Sequence, residues 1–102
     1  MVVGLLTGAI ESKVRPTVVI ASEIYLRERP DVLVGILTTK IPLPLGSTDY
    51  VLQDWSAAGL RSESCFRAFV LTIHRSELTG IGHLSEHDWT NVRTRVRQAF
   101  DV

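Results

Sequence analysis

Two polar side chains stand at the ends of neighbouring β-branched runs and could act together on a phosphate. Arg15 comes just before the apolar run 17–21, and Thr38 just after the run 32–37. If the runs form adjacent antiparallel strands, the guanidinium and the hydroxyl meet at the same rim of one sheet. A guanidinium bonds two phosphate oxygens at once and stays protonated, and a hydroxyl can donate to another oxygen.

Each of these residues also has a simpler explanation. Arg15 is then a surface residue that ends a strand, and Thr38 is a strand residue favoured for its branched Cβ. For Thr39, which follows directly, strand propensity is the better explanation taken alone. The spacing therefore indicates a phosphate site without establishing one.

The elements that must position this pair are short strands and two helices. We expect strands at 2–6, 17–21, 32–37, 49–52 and 66–73, a loop at 7–12 and a helical turn at 54–60 that ends at Gly59. Ser22 should cap a brief helix that Pro30 ends. Pro42 and Pro44 predict an extended, exposed loop between the third and fourth strands.

A second helix should close the chain. Ser85 is its expected N-cap, with Asp88 at the third helical position. We expect an apolar stripe at helical spacing to face the core, formed by Trp89, Val92, Val96, Ala99 and Phe100. The arginines between them should mostly face water, namely Arg93, Arg95 and Arg97. The whole order suits one α+β domain, residues 1–102, built on a curled antiparallel sheet.

Composition narrows the possible functions. Eleven basic and eleven acidic side chains give the 102 residues no net charge, so a polyanion would have to be met by a local patch. Cys65 is the one cysteine and is expected to be buried in a reducing compartment. No apolar stretch has the length of a membrane span, which favours the cytoplasm. Three scattered histidines do not suggest a metal site.

Taken in order and spacing, several segments resemble one known family. They are Lys13-Val14-Arg15-Pro16 with the run that follows it, Leu37-Thr38-Thr39-Lys40, and residues 49–55, 59–60, 64–66, 81–85 and 88–89. Together they resemble the MazF/PemK family, the toxins of type II toxin–antitoxin pairs, along almost the whole chain. The resemblance implies an SH3-like curled antiparallel sheet or barrel with short helices and a C-terminal helix.

The resemblance also implies a function. It indicates a metal-independent endoribonuclease that needs no cofactor and cuts single-stranded RNA at selected sequences, through attack of a ribose 2′-hydroxyl on its own phosphate. Arg15 would stabilise the charge on that phosphate, and Thr38 would orient it. The partners implied are RNA, a second copy in a homodimer, and an antitoxin whose disordered acidic tail folds across the groove.

The RNA groove should run between the loops 7–14 and 42–48. Its expected RNA-binding residues are Glu11, Ser12, Lys13, Thr39, Lys40, Ser47 and Thr48. Among these, Lys13 and Lys40 form a local positive patch with Arg15 on a neutral chain.

Two departures from the family pattern favour an alternative. Relatives often carry R-T-I-D near the end of the long strand, where this chain has Leu71-Thr72-Ile73-His74. His74 could replace the acid as a proton carrier, or it could simply begin a turn in solvent. The first strand also looks short, which would expose the ladder of its neighbour and weaken the groove. The alternative is a binding module that keeps the fold without cleaving RNA. Topoisomerase inhibition, as in the related CcdB toxins, rests on fold analogy alone.

Overall fold

The computed structural model describes residues 1–10 and 13–101, with side chains for 1–5 and 14–101. The strands are β1 (Val2–Ile10), β2 (Lys13–Val19), β3 (Asp31–Thr38), β4 (Tyr50–Val51), β5 (Cys65–His74) and β6 (Leu78–His83). The helices are α1 (Glu23–Glu28) and α2 (Glu86–Ala99), and a 3₁₀ turn spans Arg75–Glu77. Within the described ranges no helix is long and apolar enough to cross a membrane.

The six strands form one antiparallel sheet in the order β4-β5-β3-β2-β1-β6. The sheet confirms the predicted α+β class, but it is open, because β4 and β6 lie at opposite edges and do not pair with each other. The four inner strands, β5, β3, β2 and β1, each have a neighbour on both sides. Residues on these strands are therefore held at fixed register.

Hydrophobic packing occurs on both faces of the sheet. Val18 belongs to a cluster that includes Val92 of α2, whereas Val19 belongs to one packed against Tyr25 and Leu26 of α1. Successive strand residues point to opposite faces, so the two clusters lie on the two sides of the sheet. The near-continuous apolar run in β2 is explained by this double coverage.

The first strand is longer than the sequence indicates. The predicted loop at 7–12 is wrong for its first part, because β1 continues to Ile10. Its backbone pairs with β2 from Val3 to Leu6 and again at Ile10, with a register shift between them. It also pairs with β6 from Val2 to Leu6. The expected exposure of a neighbour's ladder by a shortened first strand is therefore also wrong.

Strand β6 is absent from the prediction because its sequence lacks apolar alternation. It contains Gly80 and Gly82, and the partner that holds it is β1 at the far end of the chain. Gly82 is required by packing, since an added Cβ would lie 2.2 Å from the carbonyl oxygen of Ala58. Gly59 has φ of 91°, and its Cβ would lie 2.6 Å from the Ile81 carbonyl oxygen. Two glycines thus let the turn before β5 pack directly on β6.

The predicted caps are confirmed. Ser22 Oγ accepts a hydrogen bond from the Tyr25 backbone N–H at 3.2 Å, and Ser85 Oγ accepts one from the Asp88 N–H at 3.1 Å. The segment 54–60 is a hydrogen-bonded turn rather than a helix, closed by a bond from Leu60 N–H to the carbonyl of Trp55.

The predicted faces of α2 are partly wrong. Val92 is fully buried and Trp89 and Val96 pack against the core, but Ala99 and Phe100 are exposed because the helix end extends past the sheet. Arg95 does not face water. Its guanidinium lies 5.1 Å from the centre of the Tyr50 ring, a cation–π contact.

Candidate functional site

The register of β2 and β3 places Arg15 beside Thr38. Thr17 pairs with Ile36 in antiparallel register, and Arg15 and Thr38 lie two residues beyond this pair, on β2 and β3 respectively. Paired residues point to the same face, which brings the guanidinium and the hydroxyl to one side of the sheet. The structure therefore brings together the two residues whose spacing indicated a phosphate site.

Both residues line one open cavity of about 530 Å³, which we call the polar cavity. Its other lining residues are Val14, Pro16, Leu37, Thr39 and Lys40. Arg15 and Thr38 are half-buried, whereas Thr39 and Lys40 are exposed. Two cations and two hydroxyls around one cavity suit an anion with several oxygen acceptors, such as a phosphate diester.

A short turn after β3 fixes the hydroxyl of Thr38. Its Oγ1 accepts a hydrogen bond from the backbone N–H of Lys40 at 3.1 Å. Because this bond uses a lone pair, the hydroxyl proton is left to donate to a ligand in the cavity. The same bond fixes where the chain turns and hence where Lys40 leaves the sheet.

Other predicted RNA-binding residues lie around this cavity or outside the description. Glu11 and Ser12 fall outside the described residues, and so does the side chain of Lys13, although its backbone begins β2. Ser47 is exposed and Thr48 half-buried in the loop between β3 and β4, and neither lines the polar cavity.

His74 lies at the opposite end of the sheet. On β5 it pairs with Asp31, whereas Cys65, nine residues earlier, pairs with Thr38. On β3 the same two pairs are seven residues apart, which at about 3.3 Å per strand residue is roughly 23 Å. The Nδ1 of His74 accepts a hydrogen bond from the Ser76 N–H at 3.1 Å and caps the 3₁₀ turn. Within one chain the structure does not bring His74 to Arg15.

A second cavity adjoins the polar cavity, and we call it the side cavity. It has a volume of about 310 Å³ and is lined by Leu5, Pro16, Thr39, Gly59, Leu60, Arg61, Ser62, Ser64 and Ile81. Pro16 and Thr39 line both cavities and form the ridge between them. Sequence reasoning missed Arg61 and Ser62, whose only local signal is a run of polar side chains before a strand.

A larger cavity, about 630 Å³, lies away from this ridge. It is formed near Val19, Ile20 and Ala21 at the other end of β2, and α2 contributes Trp89 and Arg93. Its walls are mainly apolar, and neither Arg15 nor Thr38 lines it. It therefore does not offer the cation and hydroxyl combination of the polar cavity.

Two further observations, on the cysteine and on metal-binding side chains, bear on the chemistry. Cys65 is buried, and burial raises the pKa of its thiol, so it is a poor nucleophile at neutral pH. In the part of the chain that the structure describes, no three histidine, cysteine, aspartate or glutamate side chains are grouped so as to hold a metal ion.

Comparison with known proteins identifies the fold. Residues 5–100 match the family described as PemK-like, MazF-like toxins of type II toxin–antitoxin systems. No curated protein matches the sequence. Among solved structures, the Mycobacterium tuberculosis toxin MazF-mt6 superposes with a TM-score of 0.81 at 21% identity, covering 100% of this chain and 98% of that one.

Two further mycobacterial structures are similar. A toxin of M. tuberculosis gives a TM-score of 0.73 at 20% identity, covering 94% of this chain and 99% of that chain. An endoribonuclease in complex with its cognate antitoxin, from a mycobacterial species, gives 0.77 at 15% identity, covering 94% and 89%. At these identities the superpositions establish the fold, while the family follows from the sequence match over residues 5–100. The chain belongs to the PemK-like, MazF-like toxins of type II toxin–antitoxin systems.

Proposed function

We propose that this toxin is an endoribonuclease that cuts single-stranded RNA at selected sequences without a metal ion. The observation that carries the proposal is the polar cavity, where Arg15, Thr38 and Lys40 converge on a chain with no net charge. A family member of the same fold is named as an endoribonuclease, which supports the same activity here.

The proposed reaction transfers the phosphate to the neighbouring 2′-oxygen. That hydroxyl loses its proton and attacks phosphorus, the bond to the 5′-oxygen of the next nucleotide breaks, and that oxygen gains a proton. Negative charge builds on the non-bridging oxygens, where the guanidinium of Arg15 and the hydroxyl of Thr38 donate hydrogen bonds. Arg15 is half-buried, so its charge is less screened by water than that of an exposed arginine.

Lys40 and Thr39 are proposed to hold RNA beside the reacting phosphate. Both are exposed on the rim of the polar cavity, so they can contact the backbone of a bound strand. Glu11, Ser12 and Lys13 on one loop, with Ser47 and Thr48 on the other, are proposed to extend this contact. Unpaired bases held between the two loops would determine the cleavage sequence.

The proton carrier is proposed to come from a second copy. His74 cannot reach Arg15 within one chain, but His74 of the partner subunit could do so in a homodimer. Mixing Arg15→Ala with His74→Ala subunits tests this arrangement, because a mixed dimer would contain one intact site. Activity in the mixture that neither variant shows alone supports the shared site. If His74→Ala alone retains full activity, His74 is not the proton carrier.

An antitoxin is the other proposed partner. A similar endoribonuclease forms a complex with its cognate antitoxin. We propose that an acidic antitoxin tail crosses the polar cavity, where its carboxylates would contact Arg15 and Lys40. Competition between such a peptide and a labelled RNA for the toxin tests the overlap, and simultaneous binding of both would exclude it.

The deciding experiment is cleavage of a long RNA in EDTA, with the ends mapped by primer extension. Wild type should give discrete cuts, and Arg15→Ala should give none. Arg27→Ala is the matched control, because Arg27 is an exposed arginine in the last turn of α1, away from the polar cavity. Arg15→Lys keeps the charge without the two-pronged geometry and should be strongly impaired. Circular dichroism must show all variants folded. Full activity in Arg15→Ala would reject the assignment.

A second candidate is a toxin-fold binding module that does not cleave RNA. The position of His74 favours it, as does Leu71, which packs against the hydrophobic cluster under α1 where relatives often carry an arginine. Intact RNA after incubation with the folded wild-type protein, together with tight binding of an antitoxin, would establish this candidate.

A further inference from the structure

We propose that the side cavity is a nucleobase subsite, which binds the base next to the phosphate held in the polar cavity and so helps to set the cleavage sequence. The inference rests on the proposed ribonuclease function for its substrate. It adds two residues that the motifs do not single out, namely Arg61 and Ser62.

The first argument is continuity between the two cavities. Arg15 and Pro16 are consecutive on β2, and Thr38 and Thr39 are consecutive at the end of β3. Arg15 and Thr38 line only the polar cavity, whereas Pro16 and Thr39 line both cavities. A phosphate on one side of this ridge therefore has a neighbouring compartment for its attached nucleoside on the other side.

The second argument is the chemistry of the walls. Pro16, Leu60 and Ile81 present apolar surface, which suits the faces of a flat base. Arg61 and Ser62 are exposed at the mouth, where a guanidinium and a hydroxyl can bond the edge of that base. A few polar groups on a mainly apolar cavity are the usual composition of a specific small-ligand site.

The third argument is that the compartment is already formed. Ser64 is buried, and its hydroxyl donates to the carbonyl of Ser62 at 3.0 Å, which holds the loop beside the cavity. The opposite wall is fixed by Gly59, whose backbone packs so closely on Ile81 that a Cβ would lie 2.6 Å from the Ile81 carbonyl oxygen. Binding a base in this space would therefore require little ordering of the protein, which lowers the entropic cost of binding.

The size of the cavity limits its occupant. Its volume of about 310 Å³ is at the small end of ligand sites, which run from about 300 to 1,000 Å³. One nucleobase fits such a space, whereas a helix or a folded partner does not. Glu63 lies in the same loop but does not line the cavity, so the charged group at the mouth is Arg61.

Two variants test the subsite during cleavage. Ser62→Trp fills the mouth from an exposed position, and Arg61→Ala removes the guanidinium while leaving the polar cavity intact. Gln98→Trp and Arg27→Ala are the matched controls, because both residues are exposed on helices and line neither cavity. The substrate is a randomised RNA whose cleaved ends are sequenced.

We expect Ser62→Trp and Arg61→Ala to weaken base preference at one position adjacent to the cut by about tenfold. Preference at the other positions, and cleavage by the two controls, should match wild type. If both variants keep the wild-type preference at every position, the side cavity is not a nucleobase subsite.

A binding experiment separates this inference from the proposed function. Fluorescent 2′-O-methyl hexanucleotides lack the attacking hydroxyl, and one abasic position can be moved along them. In wild type, one abasic position should weaken binding by about tenfold, and Ser62→Trp should abolish that penalty. Equal penalties in both proteins, or no penalty in wild type, would overturn the subsite. Absence of RNA cleavage by wild type would overturn only the proposed ribonuclease.

Discussion

The buried carboxylate of Asp88 should be the most costly single polar group to remove from this fold. It is fully buried at the start of α2 and accepts three hydrogen bonds. The donors are the Tyr50 hydroxyl at 2.6 Å, the Gln53 N–H at 3.0 Å and the Asp54 N–H at 2.8 Å. These bonds tie the segment after β4 to α2, an attachment that packing alone supplies only in part.

The magnitude follows from what Asp88→Ala leaves behind. A hydrogen bond to a charged group contributes about 1.5–3 kcal/mol, and each buried donor without a partner costs about 1–3 kcal/mol. These terms overlap, so we expect a loss of about 4 kcal/mol, a large part of the roughly 5–15 kcal/mol stability of a domain this size. Tyr50→Phe removes one donor and leaves the carboxylate two, so it should cost only about 1–2 kcal/mol.

The assay is urea unfolding followed by tryptophan fluorescence, for wild type, both single variants and the double variant. The double variant should lose about 1–2 kcal/mol less stability than the summed losses of Asp88→Ala and Tyr50→Phe, because both changes remove the same hydrogen bond. Asp88→Asn keeps one acceptor oxygen, so its loss of stability should lie between those of Tyr50→Phe and Asp88→Ala. A loss below about 1 kcal/mol for Asp88→Ala would refute the reasoning, since the three donors would then have found water.

Three further predictions concern the core. Gly35→Ala should cost about 1–3 kcal/mol in the same assay, since its Cβ would lie 2.4 Å from the ring of buried Phe66. Gly80→Ala should change stability by less than about 0.5 kcal/mol, because its Cβ would make an ordinary contact with Val2 Cγ1 at 3.7 Å. Cys65 should resist thiol reagents at pH 8 in the folded protein and react at once in urea, because burial raises its pKa; rapid reaction without urea would contradict this. Desolvation, and after it the hydrogen bond to the Asp88 carboxylate, raises the pKa of Tyr50 above the ordinary 10.0. The unfolded chain therefore loses this proton at lower pH than the folded protein, and the free energy of unfolding should fall as pH rises above about 10. Tyr50→Phe should show a shallower fall.

The parts of the fold that the sequence predicts are those with strong local signals. The β-branched runs of β2 and β3 and the serine caps of both helices are local, and each is found near its predicted place. Strand β6 has no such signal, because its glycines disfavour a strand, and it is held by pairing with β1, which is distant in sequence. The extension of β1 beyond Leu6 also depends on pairing, since Ile10 at its end pairs with Lys13 of β2.

The predicted site likewise has one part with a local sequence signal and one part without it. The meeting of Arg15 and Thr38 at one cavity follows from two consecutive antiparallel strands, which the sequence indicates directly. The position of His74 depends on how β5 pairs with β3, and antiparallel pairing sets the end of β5 against the beginning of β3. Thr38 at the end of β3 and His74 at the end of β5 therefore lie at opposite ends of the sheet. Motif alignment without register cannot detect this separation.

The composition of the polar cavity determines which part of the reaction it can perform. Its cation and hydroxyl groups, from Arg15, Lys40 and two threonines, can hold a phosphate and stabilise the charge that develops on it. The residues described as lining it include no histidine, aspartate or glutamate, the side chains that most often move protons in catalysis. In the proposed reaction these described residues would supply electrostatic stabilisation, and the proton carrier would be another group. His74 stands at the far end of β5, so it can reach the cavity only from a second subunit, and catalysis through His74 would depend on dimerisation.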